Sequence, residues 1–362
     1  MNLRIPGPIP VPEDVLGAMS GQMINHRGPQ FKELLYRVSD GIRSVFETDN
    51  DVYILTASGT GAMEAAVVNT LSPGDKVLNL SIGFFGDRFG EIARIYGAEV
   101  TELAFPWGRA VDVDDVRKAL DDDPGIQAVL VTHNETSTGV ANNVEAVAGV
   151  VKGEFDKLLL VDGISSVCSV PLKTDAWGCD VVATASQKGW MLPPGLAFLS
   201  FSAKAWEAYE RSTMPKYYLD VGQYRKYYEK GQPPYTPGLS AYFALDTALE
   251  RIAEEGLGTL FERHKTIAQM TRDGVKGLGL ELFPEESVAS DTVTAVKVPE
   301  GTSDSALLSA LREKHGIVLG GGQGPVEGKI LRIGHMGRVE PSEIQEVLDA
   351  LAAELPALTR GG

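Results

Sequence analysis

VVATASQKGWMLPPGLAFLSFS, residues 181–202, joins two apolar runs, 181–186 and 196–202, through a short link that carries two prolines and two glycines. The runs read as strands, and the link is too short to hold a crossover helix, so the spacing predicts an antiparallel pair. One lysine, Lys188, stands at the first bend, between Gln187 and Gly189. Lysine is normally solvated, so an amine at the end of a buried strand needs a reason. It can snorkel to the surface. It can also be a nucleophile whose pKa is lowered by burial and by nearby positive charge.

Upstream, apolar runs at 52–57, 76–81, 98–105, 128–133 and 158–163 alternate with helical patterns at 61–71, 89–96 and 113–120. That alternation predicts an α/β fold with a mostly parallel sheet covered on both faces. Downstream the texture changes. A helical pattern at 241–254 follows the Pro- and Tyr-rich segment 233–237. Helical patterns at 260–277, 303–315 and 341–355 then flank strand-like 292–298 and 329–333, which reads as a smaller α+β domain. The expected division is an N-terminal arm, 1–14, packing on the small domain, a large domain, 15–250, and a small domain, 251–362. No flexible linker separates them, so they should meet over a fixed cleft.

The length, 362 residues, exceeds what one core usually serves. Apolar content of 43% and charged content of 23% are those of a globular protein. A net charge of −16 argues against nucleic acid or an anionic membrane as partner. No apolar run reaches membrane-spanning length, and the first residues lack the basic and apolar regions of a secretory signal. Two cysteines, Cys168 and Cys179, make no disulfide framework, which points to a reducing cytoplasm.

In open α/β sheets, ligands bind beyond the carboxyl ends of the strands. Ser58, Gly59 and Thr60 follow the first large-domain run and open a helix, where free N–H groups and the dipole favour an anion such as phosphate. An ordinary N-cap explains the same residues. Neither a Walker loop nor a G-x-G-x-x-G fingerprint is present, which leaves a dinucleotide-binding oxidoreductase without support. Asp162 ends the 158–163 run, where an acid among apolar residues needs a partner. A backbone N–H would serve, and so would a protonated ring nitrogen. An anion pocket, an acid and an amine at successive strand ends are the parts that pyridoxal 5′-phosphate requires.

With these residues in view, the chain resembles the class V, fold-type I aminotransferases, and within them the alanine–glyoxylate and serine–glyoxylate aminotransferase group. The resemblance rests on IPGPIPVP, QMINHRGPQF, SGTGAMEAAVVNTLSPGD, GFFGDRFGEIARIYGAEV, VTHNETSTGV, LLLVDGISSVCSVPL, SQKGWMLPPGLAFLSFS and ILRIGHMG. It implies a large doubly wound, seven-stranded, mostly parallel sheet with a smaller α+β domain. It implies that Lys188 is the covalent anchor of the cofactor and the proton shuttle, and that Asp162 pairs with the ring nitrogen. Ser58, Gly59, Thr60 and Gln187 would hold the phosphate. Phe85 would stack on one ring face, where family members often have Trp or Tyr, leaving Phe84 the better candidate for the core. Ile164 would pack on the other face, and Thr136 would bond the ring's 3′-oxygen. Arg332 would clamp the substrate carboxylate through a bidentate pair. Tyr235 and Thr236 would reach the phosphate of a neighbouring subunit, which implies a homodimer. The implied reaction moves an amino group from a small amino acid (alanine, serine or aspartate) to a 2-oxo acid such as glyoxylate, pyruvate or 2-oxoglutarate, with ping-pong kinetics.

Other features read more plainly. His133 reads as a structural histidine, and Arg27 as structural too. His26, His264, His315 and His335 show no metal-ligand spacing, so no metal is expected. Asp121 to Asp123 read as a solvated helix end. Gly320 to Gly324 read as positions needing unusual backbone angles, in a loop near the cleft. Gly7, Asn25 and Gly322 are the candidates for contact with the substrate side chain. A cysteine desulfurase or other lyase is the rival within the family, but its nucleophilic Cys and its His before the lysine have no counterpart beside Lys188. A non-catalytic protein that keeps the fold is the rival outside it.

Overall fold

The computed structural model describes residues Met1–Thr359, so positions 360–362 of the expected small domain lie outside the described residues. The strands in chain order are β1 (Asn2–Arg4), β2 (Asp51–Leu55), β3 (Lys76–Ser81), β4 (Glu99–Ala104), β5 (Ala128–Thr132), β6 (Asn134–Glu135), β7 (Val140–Ala141), β8 (Leu158–Asp162), β9 (Val181–Ala185), β10 (Ala197–Phe201), β11 (Val293–Lys297), β12 (Ile317–Gly321) and β13 (Ile330–Gly334).

The seven apolar runs of the first two thirds form one seven-stranded sheet in the order β2-β10-β9-β8-β5-β3-β4. β10 is antiparallel to both β9 and β2, as the 181–202 spacing predicts. The other neighbours run parallel. With β10 alone reversed, β2, β8 and β9 end at one common edge.

Side chains alternate between two cores, as a pleated strand requires. Leu159, Val161, Val182 and Phe198 enter one, and Leu158, Leu160, Val181, Ala183 and Leu199 enter the other. Each such Leu, Val or Phe side chain, fully buried, contributes about 2 kcal/mol. After the short α1 (Glu13–Ala18), α2 (Pro29–Phe46) covers the first face with Phe31, Leu34, Leu35, Val38 and Ile42, spaced by three and four. Its start carries Pro at a first-turn position, where a missing N–H costs nothing. Phe31 meets Tyr242 of the helix Leu239–Glu255, with ring centroids 5.3 Å apart. α3 (Gly59–Thr70) buries residues all round, Ala62, Met63, Ala66 and Val67 among them, and packs between the sheet and its helical neighbours. α2 and β12 are absent from the sequence expectations.

A second sheet, in the order β1-β12-β13-β11, is covered by the helices Leu257–Gly277, Asp304–His315 and Pro341–Thr359. β1 pairs parallel with β12, Leu3 opposite Val318, so the first residues of the chain complete a sheet built from its last third. Arg4, 2% exposed, anchors there on Glu343 at 2.6 Å.

The arm then crosses glycines that leave room for its backbone. A β-carbon on Gly334 would lie 2.1 Å from the Ile5 carbonyl oxygen, and one on Gly320 would lie 3.1 Å from Pro6 Cδ. The glycine run 320–324 therefore departs from expectation. Gly320 and Gly321 are strand residues, and of the five only Gly324 has positive φ. Close packing, not backbone angle, accounts for Gly320, and for Gly322, whose β-carbon would sit 1.8 Å from the Val326 carbonyl oxygen.

Candidate active site

The turn between β9 and β10 is closed by its own hydrogen bonds. Ser186 N–H donates to the Leu196 carbonyl at 2.9 Å, and Ser186 Oγ donates to the Pro193 carbonyl at 2.8 Å. Trp190, fully buried, packs on Phe46 and Phe198 and donates its indole N–H to Thr184 at 3.3 Å. Lys188 is held at this pinned bend. Its Nζ donates to the Pro6 carbonyl at 2.5 Å. Burial lowers its pKa to about 8; Asp162 opposes that shift and Arg332 adds to it.

Asp162 ends β8 and is 3% exposed. Its Oδ1 accepts from Ile164 N–H at 2.9 Å and its Oδ2 from Thr132 Oγ1 at 3.2 Å. Burial pushes the carboxyl up to about 7, the Ile164 hydrogen bond opposes, and Glu135 adds to the rise. Acid and amine thus lie close enough to influence each other's titration, both in the range where proton transfer is useful.

At the end of β2, Ser58 and Thr60 are exposed, and Ser58, the N-cap of α3, makes no side-chain cap. The first N–H groups of a helix have no partner within it, so this helix start retains its capacity for an anion. Gly59 is buried, and its β-carbon would lie 2.8 Å from Ile164 Cδ1 and 3.1 Å from Ala185 Cβ. That closeness sets α3 directly on the ends of β8 and β9. Gln187 has a buried side-chain oxygen with no hydrogen-bond partner. Turned over, the same amide would present its NH₂ as a donor.

Thr136 is buried in the hairpin that β6 and β7 make. Its carbonyl accepts from Arg332 Nη1 at 3.1 Å. Arg332, on β13 and 7% exposed, also donates to the Gly321 carbonyl at 2.7 Å and to Gln323 Oε1 at 3.2 Å. Two carbonyls and an amide orient this guanidinium, and burial lowers its pKa. A buried cation hydrogen-bonded only to neutral groups is fitted to take a carboxylate from outside.

Phe84 and Phe85 open α4 (Phe84–Ile95), half-buried, with ring centroids 5.7 Å apart at 87°. The Arg88 guanidinium lies 5.1 Å from one ring and 5.0 Å from the other. Phe84 is not a core residue. It lies with Trp107 within 4 Å of where a β-carbon on Gly324 would sit. Tyr235 stacks on Tyr218 at 5.1 Å and donates to the Tyr217 carbonyl at 2.8 Å, while Thr236 is exposed. Tyr218 in turn donates to the Thr56 carbonyl, two residues before Ser58.

Lys188, Asp162, Arg332, Thr136, Ile164 and Gly59 are therefore linked by direct contacts or mutual fields, and Gly7 joins them against Lys188. His133 is buried beside the Trp177 ring, 6.2 Å away, and burial lowers its pKa to about 4. Arg27 is exposed, lies 5.5 Å over the Tyr227 ring and donates to Gln232. Asp123 pairs with Lys76 at 2.8 Å, at the helix end expected of 121–123. The thiols of Cys168 and Cys179 are buried and their pKa values raised by burial. Among the described residues no group of three or more His, Cys, Asp or Glu is placed to hold a metal ion, and no helix is long and apolar enough to cross a membrane. Sequence reading missed Glu135, Gln323 and the Pro6 carbonyl. Glu135 alone left a signal: it is an acid three residues after the buried strand β5.

The family model for class-V aminotransferases matches residues 13–339. The chain is 45% identical, over 98% of its length and 93% of the relative's, to the small subunit of a soluble hydrogenase from Synechococcus. It is 40% identical to L-aspartate–glyoxylate aminotransferase of Paracoccus denitrificans, over 92% of this chain and 85% of that one. The crystal structure of alanine–glyoxylate aminotransferase from Nostoc superposes with a TM-score of 0.94 at 33% identity, covering 98% of this chain and 95% of that chain. With its sheet order, its lysine at the β9–β10 turn and matches along nearly its whole length, the chain belongs to the class-V aminotransferase family.

Proposed function

We propose that the protein is a pyridoxal 5′-phosphate-dependent transaminase that moves the amino group of a small amino acid, alanine, serine or aspartate, to a 2-oxo acid such as glyoxylate, pyruvate or 2-oxoglutarate. The observation that carries this reading is the convergence of a half-buried amine, a buried acid and a buried guanidinium that lacks a hydrogen-bonded carboxylate. The residues fit the cofactor. The start of α3 has no side-chain cap, Gly59 lets that start pack on the ends of β8 and β9, and Gln187 has a buried side-chain oxygen with no hydrogen-bond partner.

When bound, the cofactor supplies an electron sink for the amino acid's α-carbon. The protein supplies the rest. Lys188 anchors the cofactor and, once freed, carries a proton to and from the α-carbon. A pKa near 8 leaves part of the amine unprotonated at neutral pH. Asp162 holds a proton on the ring nitrogen. Ser58, Gly59, Thr60 and Gln187 hold the phosphate, Thr136 bonds the ring oxygen, and Phe85 and Ile164 close the two faces. Arg332 binds the substrate carboxylate, and Gly7 leaves space beside the lysine. The arm 1–14, the large domain 15–250 and the described part of the small domain, 251–359, enclose this site. Donor and acceptor use the same clamp in turn, so ping-pong kinetics follow.

Tyr235 and Thr236 belong to the phosphate site of a second copy in a homodimer. The exposed Tyr217 and Tyr218 beside them are apolar surface of the kind such an interface covers. Two free thiols fit the reducing cytoplasm.

The test is the visible absorbance of the protein with pyridoxal 5′-phosphate, for wild type and Lys188→Ala, before and after borohydride and on adding alanine, serine and aspartate. Wild type should turn yellow, borohydride should fix the cofactor to Lys188, and one donor should bleach the band. A wild type that stays colourless with added cofactor rules the reading out.

A further inference from the structure

The hairpin of β6 and β7 does more than present Thr136. Glu135 has no exposed surface. Its Oε2 accepts from the backbone N–H of Phe85 at 2.9 Å and of Gly86 at 3.0 Å. Its Oε1 accepts from the Ser137 N–H at 3.0 Å and from Ser137 Oγ at 2.7 Å. Ser137 Oγ in turn accepts from Phe84 N–H at 3.0 Å.

The first N–H groups of a helix need partners, and the N-cap of α4 is Gly83, which has no side chain to offer. Those groups are satisfied instead from a segment about fifty positions away. The negative charge suits the positive end of the helix dipole. Contact at this clamp is tight: a β-carbon on Gly83 would lie 2.6 Å from both Glu135 Cγ and Ser137 Oγ.

The same short loop reaches the carboxylate clamp, since the Thr136 carbonyl accepts from Arg332 Nη1. On its far side it meets the small sheet: Val140 bridges to Ala289, and a β-carbon on Gly139 would lie 2.9 Å from Ala295 Cβ. The phenylalanine pair, Thr136 and Arg332 are therefore tied through one loop.

We propose that Glu135 is a positioning residue: by capping the first turn of α4 from outside, it keeps the Phe84–Phe85 pair in a fixed spacing from Thr136 and from Arg332. This rests on the reading above, in which those residues seat a cofactor ring and a substrate carboxylate. A helix start that is free to fray would let the rings drift. Three of the four donors to Glu135 are N–H groups, which can only donate. In Glu135→Gln, whichever way the amide is turned, its NH₂ faces at least one N–H that loses its acceptor. Ser137→Ala removes only the acceptor of Phe84 N–H and one donor to Glu135, so it is the milder variant.

The experiment follows both variants and wild type by far-UV circular dichroism, by hydrogen exchange at residues 84–87 and 137, and by titration with pyridoxal 5′-phosphate read by absorbance and visible circular dichroism. KM for the amino donor is measured alongside. In Glu135→Gln exchange should quicken about tenfold at the N–H groups that face the new NH₂, Phe85 and Gly86 in one amide orientation and Ser137 in the other, as expected for loss of one hydrogen bond to a charged group. The cofactor dissociation constant should rise about tenfold, as one such hydrogen bond allows. The visible dichroism should weaken and KM should rise, with smaller changes of the same sign in Ser137→Ala.

Faster exchange with unchanged cofactor affinity, visible dichroism and KM in both variants overturns the inference and leaves Glu135 a structural cap. If Glu135→Gln does not fold, Ser137→Ala decides by the same readouts. A wild type that takes up no cofactor defeats the underlying reading; variants that bind as well as a wild type that does take it up defeat the positioning role alone.

Discussion

A β-carbon on Gly7 would lie 2.7 Å from Lys188 Nζ and 2.8 Å from its Cδ. The arm and the lysine are thus in van der Waals contact, with the Pro6 carbonyl on the amine. Gly7 also has φ of +122°, which a residue with a side chain adopts at a cost of about 1–3 kcal/mol. Gly7→Ala should lift the arm from Lys188. Transaminase kcat should fall at least about tenfold, or 1.4 kcal/mol in barrier. The thermal midpoint should drop by a few degrees. Steady-state kinetics beside a melting curve check this, and a wild-type kcat would show that the arm does not govern the lysine.

Gly59 sets the start of α3 against Ile164 and Ala185. Gly59→Ala adds one methyl where the nearest atom lies at 2.8 Å, an overpacking that costs about 1–3 kcal/mol. The helix start must shift off the strand ends. Affinity for pyridoxal 5′-phosphate should weaken about tenfold, following that energy, while far-UV circular dichroism stays unchanged. Equal affinity in wild type and variant would mean that the phosphate does not sit at this helix start.

Much of this site is legible from chain order alone. Runs such as 128–133 and 158–163 are buried on both faces, and their near-continuous apolarity marks them to within a residue or two. The link between 186 and 196 admits no crossover, so the reversal of β10 follows from the spacing of residues. β12 is hidden because Gly320 and Gly321 weaken the strand pattern. The missing side chain of Gly320 makes room for Pro6 of the arm. The cap of α4 is hidden for a different reason. Glu135 acts on a helix about fifty positions away, and no spacing rule for helix caps looks that far.

In the proposed reading Arg332 takes the substrate carboxylate; its Nε and Nη1 are already steered by Gly321, Thr136 and Gln323. A lysine at this position keeps the charge but loses the planar fork. Arg332→Lys should raise KM for the amino donor and for the oxo acid alike, with kcat/KM down about a hundredfold, or 2.7 kcal/mol. Affinity for pyridoxal 5′-phosphate should hold. A loss confined to cofactor binding would place Arg332 outside the substrate clamp.

Three buried histidines make stability depend on pH. Burial lowers the pKa of His133 and His264 to about 4 and that of His335 to about 3. His264 donates from Nδ1 to the Leu260 carbonyl and accepts Gly337 N–H at Nε2, so it fits its site only when neutral. Below about pH 6.5 the unfolded chain takes up protons that the native state refuses, so stability falls as pH falls toward 4. Each histidine contributes a slope of up to about 1.4 kcal/mol per pH unit in that window. Asp162 runs the other way. Its native pKa is raised to about 7, so its contribution is lost as pH rises from the unfolded value toward 7. Burial raises the Glu135 carboxyl as well, with the same sign. The wild-type profile is therefore a sum. The difference between wild type and His264→Gln isolates one term. By urea denaturation of the cofactor-free protein, the variant should lose less stability than wild type between pH 6.5 and 4.5, by about 1–2 kcal/mol. Parallel profiles would show that the native state protonates His264 as readily as the unfolded chain does.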